Sequence, residues 1–250
     1  MKLQFDSSLD YQLDAINAVV DVFAGQIKSD SSFIVGQAEL GLEGQQLSLE
    51  ATSARGNVLS LMPEQIINNV HSIQDRNMLE RSEIAPGGFE FPVEFPLEIS
   101  TPKLQHDLNF SIEMETGTGK TYVYLRTIHE LHQKYGWKKF IIVVPSVAIR
   151  EGVMKNLEIT REHFATEYDN PEMNFYVWDS KKTGQAREFA TNDTLQIMVI
   201  TIDSFAKAQN VMNRQSDYGR PLDFIKATHP VVILDEPQNM ETDIRRNAIA

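Results

Sequence analysis

The sequence predicts an α/β protein with a mostly parallel sheet flanked by helices, and three observations carry that expectation. From about residue 109 onward, short apolar runs alternate with helical spacing in the repeated order strand, helix, strand. One run, Phe140, Ile141, Ile142, Val143 and Val144, is continuously apolar and stops at Pro145, as in a strand buried on both faces. A Gly-rich turn holding Gly117 and Gly119 leads straight into helical periodicity, the junction at which α/β proteins bind anions.

Composition bounds the rest. The 250 residues suit one large domain or two small ones and can bury a core. An apolar fraction of 42% with 23% charged residues is that of an ordinary water-facing chain, with no long apolar run and no signal-peptide pattern. There is no cysteine, so disulfides and thiolate metal sites are excluded and a reducing compartment fits. His129 and His132 stand three apart on a predicted helix with no third ligand near in sequence, and read as plain surface. A formal charge of −12 means that any contact with a phosphate backbone is local, through a few loops.

Leu13, Ile16, Val20 and Phe23 recur at spacings of three and four, predicting an amphipathic helix over residues 11–23. Asp10 is its expected N-cap and Gly25 its end. Residues 29–102 lose regular order around several glycines and prolines, interrupted by one helix. Pro63 suits its first position, and Ile66, Ile67, Val70 and Ile73 form its apolar face. This reads as an insertion of mixed short elements without a large core of its own. Phe110, Ile112 and Met114 then alternate as a strand, and Tyr124, Ile128, Leu131 and Tyr135 mark a helix closed by Gly136. Further strands are expected at residues 140–144, 175–178, 196–200 and 231–234, the last a buried one. The domain reading is residues 1–28 as a helix packing on the main lobe, 29–105 as the accessory segment, and 106–250 as the nucleotide-binding lobe.

The string METGTGKT, residues 114–121, has the context a P-loop requires, a strand before and a helix after. Backbone N–H groups of Thr116, Gly117, Thr118 and Gly119 are expected to cradle phosphate oxygens, since glycine leaves room for close approach. Lys120 then reaches the β- and γ-phosphates, and the Thr121 hydroxyl ligates Mg²⁺. The bland alternative is a chance Gly-rich loop. The string VVILDEPQ, residues 231–238, puts two carboxylates at a strand's C-terminal end, where ligands of α/β sheets lie. Asp235 is expected to hold Mg²⁺ and Glu236 to orient or deprotonate the attacking water, the alternative being two exposed acids that end a strand.

The Asp235-Glu236-Pro237-Gln238 ending resembles superfamily 2 helicases and translocases, and in particular the restriction (Res) subunit of type III restriction enzymes. The run from Glu113 to Tyr122 is similar to the form these subunits use, although Met114 stands where many P-loops have Gly or Ala. The opening LDYQLDAI, residues 9–16, resembles theirs, and puts Gln12 where such motors read adenine; the alternative is a solvated helix face. VPSVAIREGV, residues 144–153, looks like their first DNA-contacting motif, and residues 200–205 fall where a second would.

The resemblance implies a RecA-like lobe that binds ATP and Mg²⁺ and acts on duplex DNA. Ser146, Arg150, Thr201 and Ser204 are then DNA-contact candidates, and Gln238 couples nucleotide to movement. Ser146 and Arg150 have the alternative of capping a helix after Pro145. It further implies a methyltransferase (modification) subunit as partner, a bacterial cytoplasm, no membrane role, and membership of an ATP-dependent type III site-specific deoxyribonuclease. A second arginine-bearing lobe and a nuclease domain are expected beyond Ala250, so the chain reads as an N-terminal fragment inactive alone. Two other readings stay open: another superfamily 2 motor, such as a type I restriction motor or a repair helicase, and a nucleotide-gated interaction module without a DNA role.

Overall fold

The computed structural model describes residues 5–28, 32–34, 53–82, 110–182, 184–206 and 220–237. In chain order the elements are α1 (Asp10–Asp21), β1 (Ser32–Ile34), β2 (Ser53–Arg55), α2 (Pro63–Arg76), α3 (Lys120–Tyr135), β3 (Lys139–Val144) and α4 (Val147–Glu167). They continue with β4 (Met173–Val177), α5 (Gly184–Thr191), β5 (Leu195–Thr201), α6 (Ile202–Ala206), α7 (Pro221–Lys226) and β6 (Val231–Leu234).

All six residues of β3 are buried, so the strand must be covered on both faces and paired on both edges. It pairs in parallel with β5, Lys139 opposite Gln196 and Val144 opposite Thr201, and on its other edge with β6, Phe140 opposite Val231. β4 joins β5, also parallel, giving the order β4-β5-β3-β6. β1 and β2 form a separate antiparallel pair.

Alternate residues of the central strands feed two cores. Phe140, Ile142 and Val144, with Leu195, Ile197 and Val199, meet Ile16 and Val20 of α1, Ile128 and Leu131 of α3, and Leu157 and Phe164 of α4. Ile141, Val143, Met198 and Ile200 meet Phe189 of α5 and Phe224 and Ile225 of α7 on the opposite face. Helices on both faces of a parallel sheet are the predicted architecture.

Residues 53–61, which the sequence assigns to an insertion, are stitched to the sheet. The Asn57 side chain accepts from the N–H groups of Lys138 and Lys139 at 2.9 and 3.1 Å and donates to the Lys139 carbonyl at 2.8 Å. Trp137 Nε1 donates to the Val58 carbonyl at 3.0 Å, and Ala54 joins the second core. Lys139 itself is fully buried, its ammonium donating to the carbonyls of Phe189 and Asn192 at the end of α5. Those carbonyls lack helical partners, so the Lys139 amine satisfies them, and burial lowers its pKa to about 7.

Four expectations need correction. Residues 110–114 form no hydrogen-bonded strand, and Phe110 and Ile112 are exposed, because an alternating pattern makes a strand only beside a neighbour, and no described strand pairs with them. β6 is not buried: Val232 and Leu234 are 41% and 37% exposed, since among the described residues β6 pairs only with β3. Asp10 is the first helical residue of α1 rather than its cap. Leu9 holds the capping position, and its carbonyl accepts from the N–H groups of Gln12 and Leu13, both at 3.0 Å. The fourth concerns a histidine.

His129 is 3% exposed, not a surface residue, because α4 lies over that face of α3. Its ring stacks on Tyr168 at 5.1 Å and tilts against Phe164 at 4.8 Å, and its Nδ1 is buried without a hydrogen-bond partner. Burial, with His132 adding to it, lowers its pKa from 6.5 to about 4. Between those values the unfolded chain binds a proton that the folded one refuses, so stability falls as pH drops through the window. We expect chemical denaturation to register a loss on the order of 3 kcal/mol across it. His129→Leu should flatten that slope while leaving stability above the window nearly unchanged; an unaltered slope would contradict the assignment.

Candidate nucleotide-binding site

The C-terminal ends of β3, β5 and β6 lie on one edge of the sheet because the strands are parallel. Ligands of such sheets bind beyond that edge, and the functional candidates collect there. The P-loop turn is built by two glycines in the left-handed region, Gly117 at φ +84° and Gly119 at φ +89°. A Cβ at Gly117 would meet nothing, so the loop leaves open space on that side, whereas a Cβ at Gly119 would lie 2.7 Å from Gln12 Nε2. Between them the Thr118 hydroxyl donates to the Glu115 carbonyl at 2.7 Å and tightens the turn. Gly119 caps α3, making Lys120 and Thr121 its first residues, at the positive end of the helix dipole.

Gln12 is 7% exposed and not on a solvated face. Its Nε2 donates to the Thr118 carbonyl at 2.8 Å, so α1 clamps the phosphate loop from behind. This leaves Oε1 as the Gln12 atom available to accept from a ligand amine.

On the opposite side the β3–β6 ladder runs one residue past β6. The Asp235 N–H donates to the Val143 carbonyl at 3.0 Å, which fixes the backbone from which the carboxylate projects. Tyr124 of α3 donates from its hydroxyl to Asp235 Oδ2 at 3.3 Å. Burial raises the Asp235 pKa; the Tyr124 hydrogen bond opposes this, Glu236 adds to it, and Lys120 opposes it. Burial and the nearby Asp235 charge raise the Tyr124 phenol as well, keeping it a donor. Glu236 sits at φ +57°, a region that costs a branched-free acidic residue about 1 kcal/mol or more and clusters at functional sites.

A cleft of about 570 Å³ opens beside these parts. It is lined by Thr116, Gly117, Gly119, Lys120, Thr121 and Tyr122 of the loop and α3, by Glu236 beyond β6, and by Phe5, Asp6, Leu9, Gln12 and Asn156; Asp235 and Tyr124 stand outside that lining. Phe5, Tyr122, Tyr124 and Asn156 escaped sequence reasoning. Tyr122 and Tyr124 carry a legible signal, standing on the first turn after the P-loop; Phe5 and Asn156 become neighbours only through the packing of α1 and α4.

The remaining candidates are not brought into the cleft. Ser146 caps α4, its hydroxyl accepting from Ile149 N–H at 3.4 Å, and Arg150 pairs with Glu151 at 2.8 Å. Thr201 and Ser204 share a hydrogen bond of 3.1 Å at the β5–α6 junction. Gln238 lies outside the described residues.

Comparison with known proteins identifies the family. The family model described as the type III restriction enzyme res subunit matches residues 8–243. The chain is 36% identical over 160 residues to the Res subunit of the type III restriction-modification enzyme StyLTI of Salmonella typhimurium, covering 54% of this chain and 16% of that protein. It is 28% identical over 215 residues to the EcoP15I Res subunit of Escherichia coli, covering 74% and 19%. With the EcoPI Res subunit of Escherichia phage P1 it shares 25% over 269 residues, covering 95% and 23%. The chain thus spans less than a quarter of each of these relatives. No helix among the described residues is long and apolar enough to cross a membrane.

Gly119→Ala tests the loop geometry. The added methyl must displace the Gln12 amide and sit at positive φ, so we expect a loss of about 1–3 kcal/mol in chemical denaturation. Adding Gln12→Ala should relieve the collision but not the backbone strain, restoring only part. Full tolerance of Gly119→Ala would mean that the loop is not held in this conformation.

Proposed function

The chain belongs to the family of type III restriction enzyme res subunits, and from that premise we propose that residues 106–250 form its ATP-binding lobe. The observation that supports this most is one cleft. There a glycine loop clamped by Gln12 offers Lys120 at a helix N-terminus, and Glu236 enters from the end of the neighbouring strand. The groups present fit a nucleoside triphosphate with a divalent ion: loop N–H groups and a lysine for the phosphates, a hydroxyl and a carboxylate for the metal. Thr121 and Asp235 would hold Mg²⁺, which would supply positive charge against the phosphates.

Each residue then has a stated task. The N–H groups of Thr116, Gly117, Thr118 and Gly119 bind phosphate oxygens, Lys120 reaches the β- and γ-phosphates, and Thr121 and Asp235 hold the metal. Glu236 orients the attacking water and accepts its proton. The Tyr124 hydroxyl keeps Asp235 turned toward α3. Gln12, with its NH₂ committed to the loop, accepts from the base amine through Oε1. Among the described residues lining the cleft there is no arginine. By resemblance to superfamily 2 motors, an arginine that stabilises γ-phosphate charge comes from a second lobe, and hydrolysis without it is slow.

In the same reading the lobe serves an ATP-dependent type III deoxyribonuclease in the bacterial cytoplasm, alongside a methyltransferase subunit. Ser146, Arg150, Thr201 and Ser204 face duplex DNA from the strand-end edge, and Gln238 couples the cleft to movement. Residues 1–28 act as a brace for the lobe and 29–105 as an accessory segment. The formal charge of −12 favours a second reading, a nucleotide-gated module without a DNA role.

Calorimetry should register ATP·Mg binding to the chain and at least a tenfold loss in Lys120→Ala, one charge-assisted contact being about 1.5–3 kcal/mol. Equal affinity in the variant would remove the loop from the site. Titration with duplex DNA at two salt concentrations separates the readings. Affinity that falls with salt favours the motor, and no binding at low salt favours the module.

A further inference from the structure

Part of the cleft lining, Phe5, Asp6 and Leu9, comes from residues 5–9, an irregular segment that precedes α1. Irregular backbone at a chain end holds a position only if something ties it down. Here there are two ties. Asp6 Oδ1 accepts from the N–H and hydroxyl of Ser8 at 2.9 and 2.6 Å, closing a local turn. Inside that turn the Ser7 carbonyl accepts from the Arg126 guanidinium at 2.6 Å.

Arg126 is itself held on its other side. Its Nε donates to the Tyr168 hydroxyl at 3.1 Å, and that hydroxyl donates to Glu130 Oε1 at 2.7 Å. The Arg126 side chain is 11% exposed and these contacts are partly buried, so water screens them less than it would at the surface. The chain Ser7, Arg126, Tyr168, Glu130 thus bolts the N-terminal segment to α3 and α4. With the segment fixed, the Phe5 ring stacks on Tyr122 at 5.8 Å and 12°, and Tyr122 is in turn hydrogen-bonded to His163 at 2.8 Å. The result is an aromatic and apolar wall of Phe5, Leu9 and Tyr122, with Asp6, Gln12 and Asn156 supplying polar edges.

We propose that Arg126 is a positioning residue for the base of the bound nucleotide. Through the Ser7 carbonyl it holds Phe5, Asp6 and Leu9 as the wall against which a planar heteroaromatic ring lies, and it touches no phosphate. The proposal rests on the nucleotide reading of the cleft. It adds that the loop and the N-terminal segment have different anchors: the loop is held by Gln12 and its own glycines, and Phe5, Asp6 and Leu9 by Arg126 through Ser7.

Different anchors allow a separable test. The chain and its Arg126→Ala variant are titrated by calorimetry with ATP·Mg and with Mg-bound inorganic tripolyphosphate, which has the phosphates and no base. Affinity for ATP should fall about tenfold in the variant, with tripolyphosphate affinity changed by less than about twofold. A general loosening of the fold would weaken both ligands alike, and that outcome, or unchanged ATP affinity, overturns the proposal. Should the wild-type chain bind neither ligand, the nucleotide reading falls and the positioning role with it. If Arg126→Ala does not fold, Tyr168→Phe decides, because it removes only the hydroxyl that steadies Arg126. A selective loss for ATP then supports the proposal, and wild-type affinity for both ligands overturns it.

Discussion

The site depends on the burial of β3 along both faces and both edges. A strand of one buried lysine followed by Phe, Ile and Val, with no exposed residue, must lie inside a sheet, and its parallel neighbours must then return over helices on either side. That requirement puts α3 against one face and brings the end of β6 beside the end of β3, one residue before Asp235. The phosphate loop at the start of α3 and the carboxylates at the end of β6 are therefore neighbours because β3 is apolar, not because they attract one another. Asp235 and Glu236 in fact repel, and burial raises Asp235 further. Such a pair persists only when the surrounding fold over-determines it.

The local constraints point the same way. Two glycines at positive φ, a glutamine wedged behind the second, and Glu236 in the left-handed region are all costly features gathered around one cleft. Each is offset by packing elsewhere: Gln12 sits on α1, whose Ile16 and Val20 anchor it in the main core. Family membership and geometry meet here, since the matched region of residues 8–243 includes both α1 and the P-loop.

Much of this was legible in the sequence, for physical reasons. Continuous apolar runs report burial on both faces, so β3 and β5 could be read, and the P-loop and DEPQ strings carry their own chemistry. Pro63 and Gly136 marked helix ends because their backbone preferences are steep. The failures share a cause, which is that pattern does not report neighbours. Alternation at residues 110–114 did not produce a paired strand, and the apolar run of β6 did not produce burial. The burial of His129 escaped because the face α4 covers cannot be seen from α3 alone, and the Gln12–Thr118 contact because helix periodicity does not say which polar residue will meet a loop 106 positions away. Arg126 and Tyr168, 42 positions apart, belong to the same class.

The claim at the centre is that the glycine loop and the end of β6 form one site for a magnesium-bound nucleotide. Amide hydrogen exchange on the intact chain, with and without ATP·Mg, tests it most directly, because it reports on both segments at once. The account predicts slowed exchange in residues 115–122 and again around residues 235–236, with the distant β1–β2 pair unchanged. Protection confined to some other surface, or none at either segment under saturating nucleotide, would contradict it.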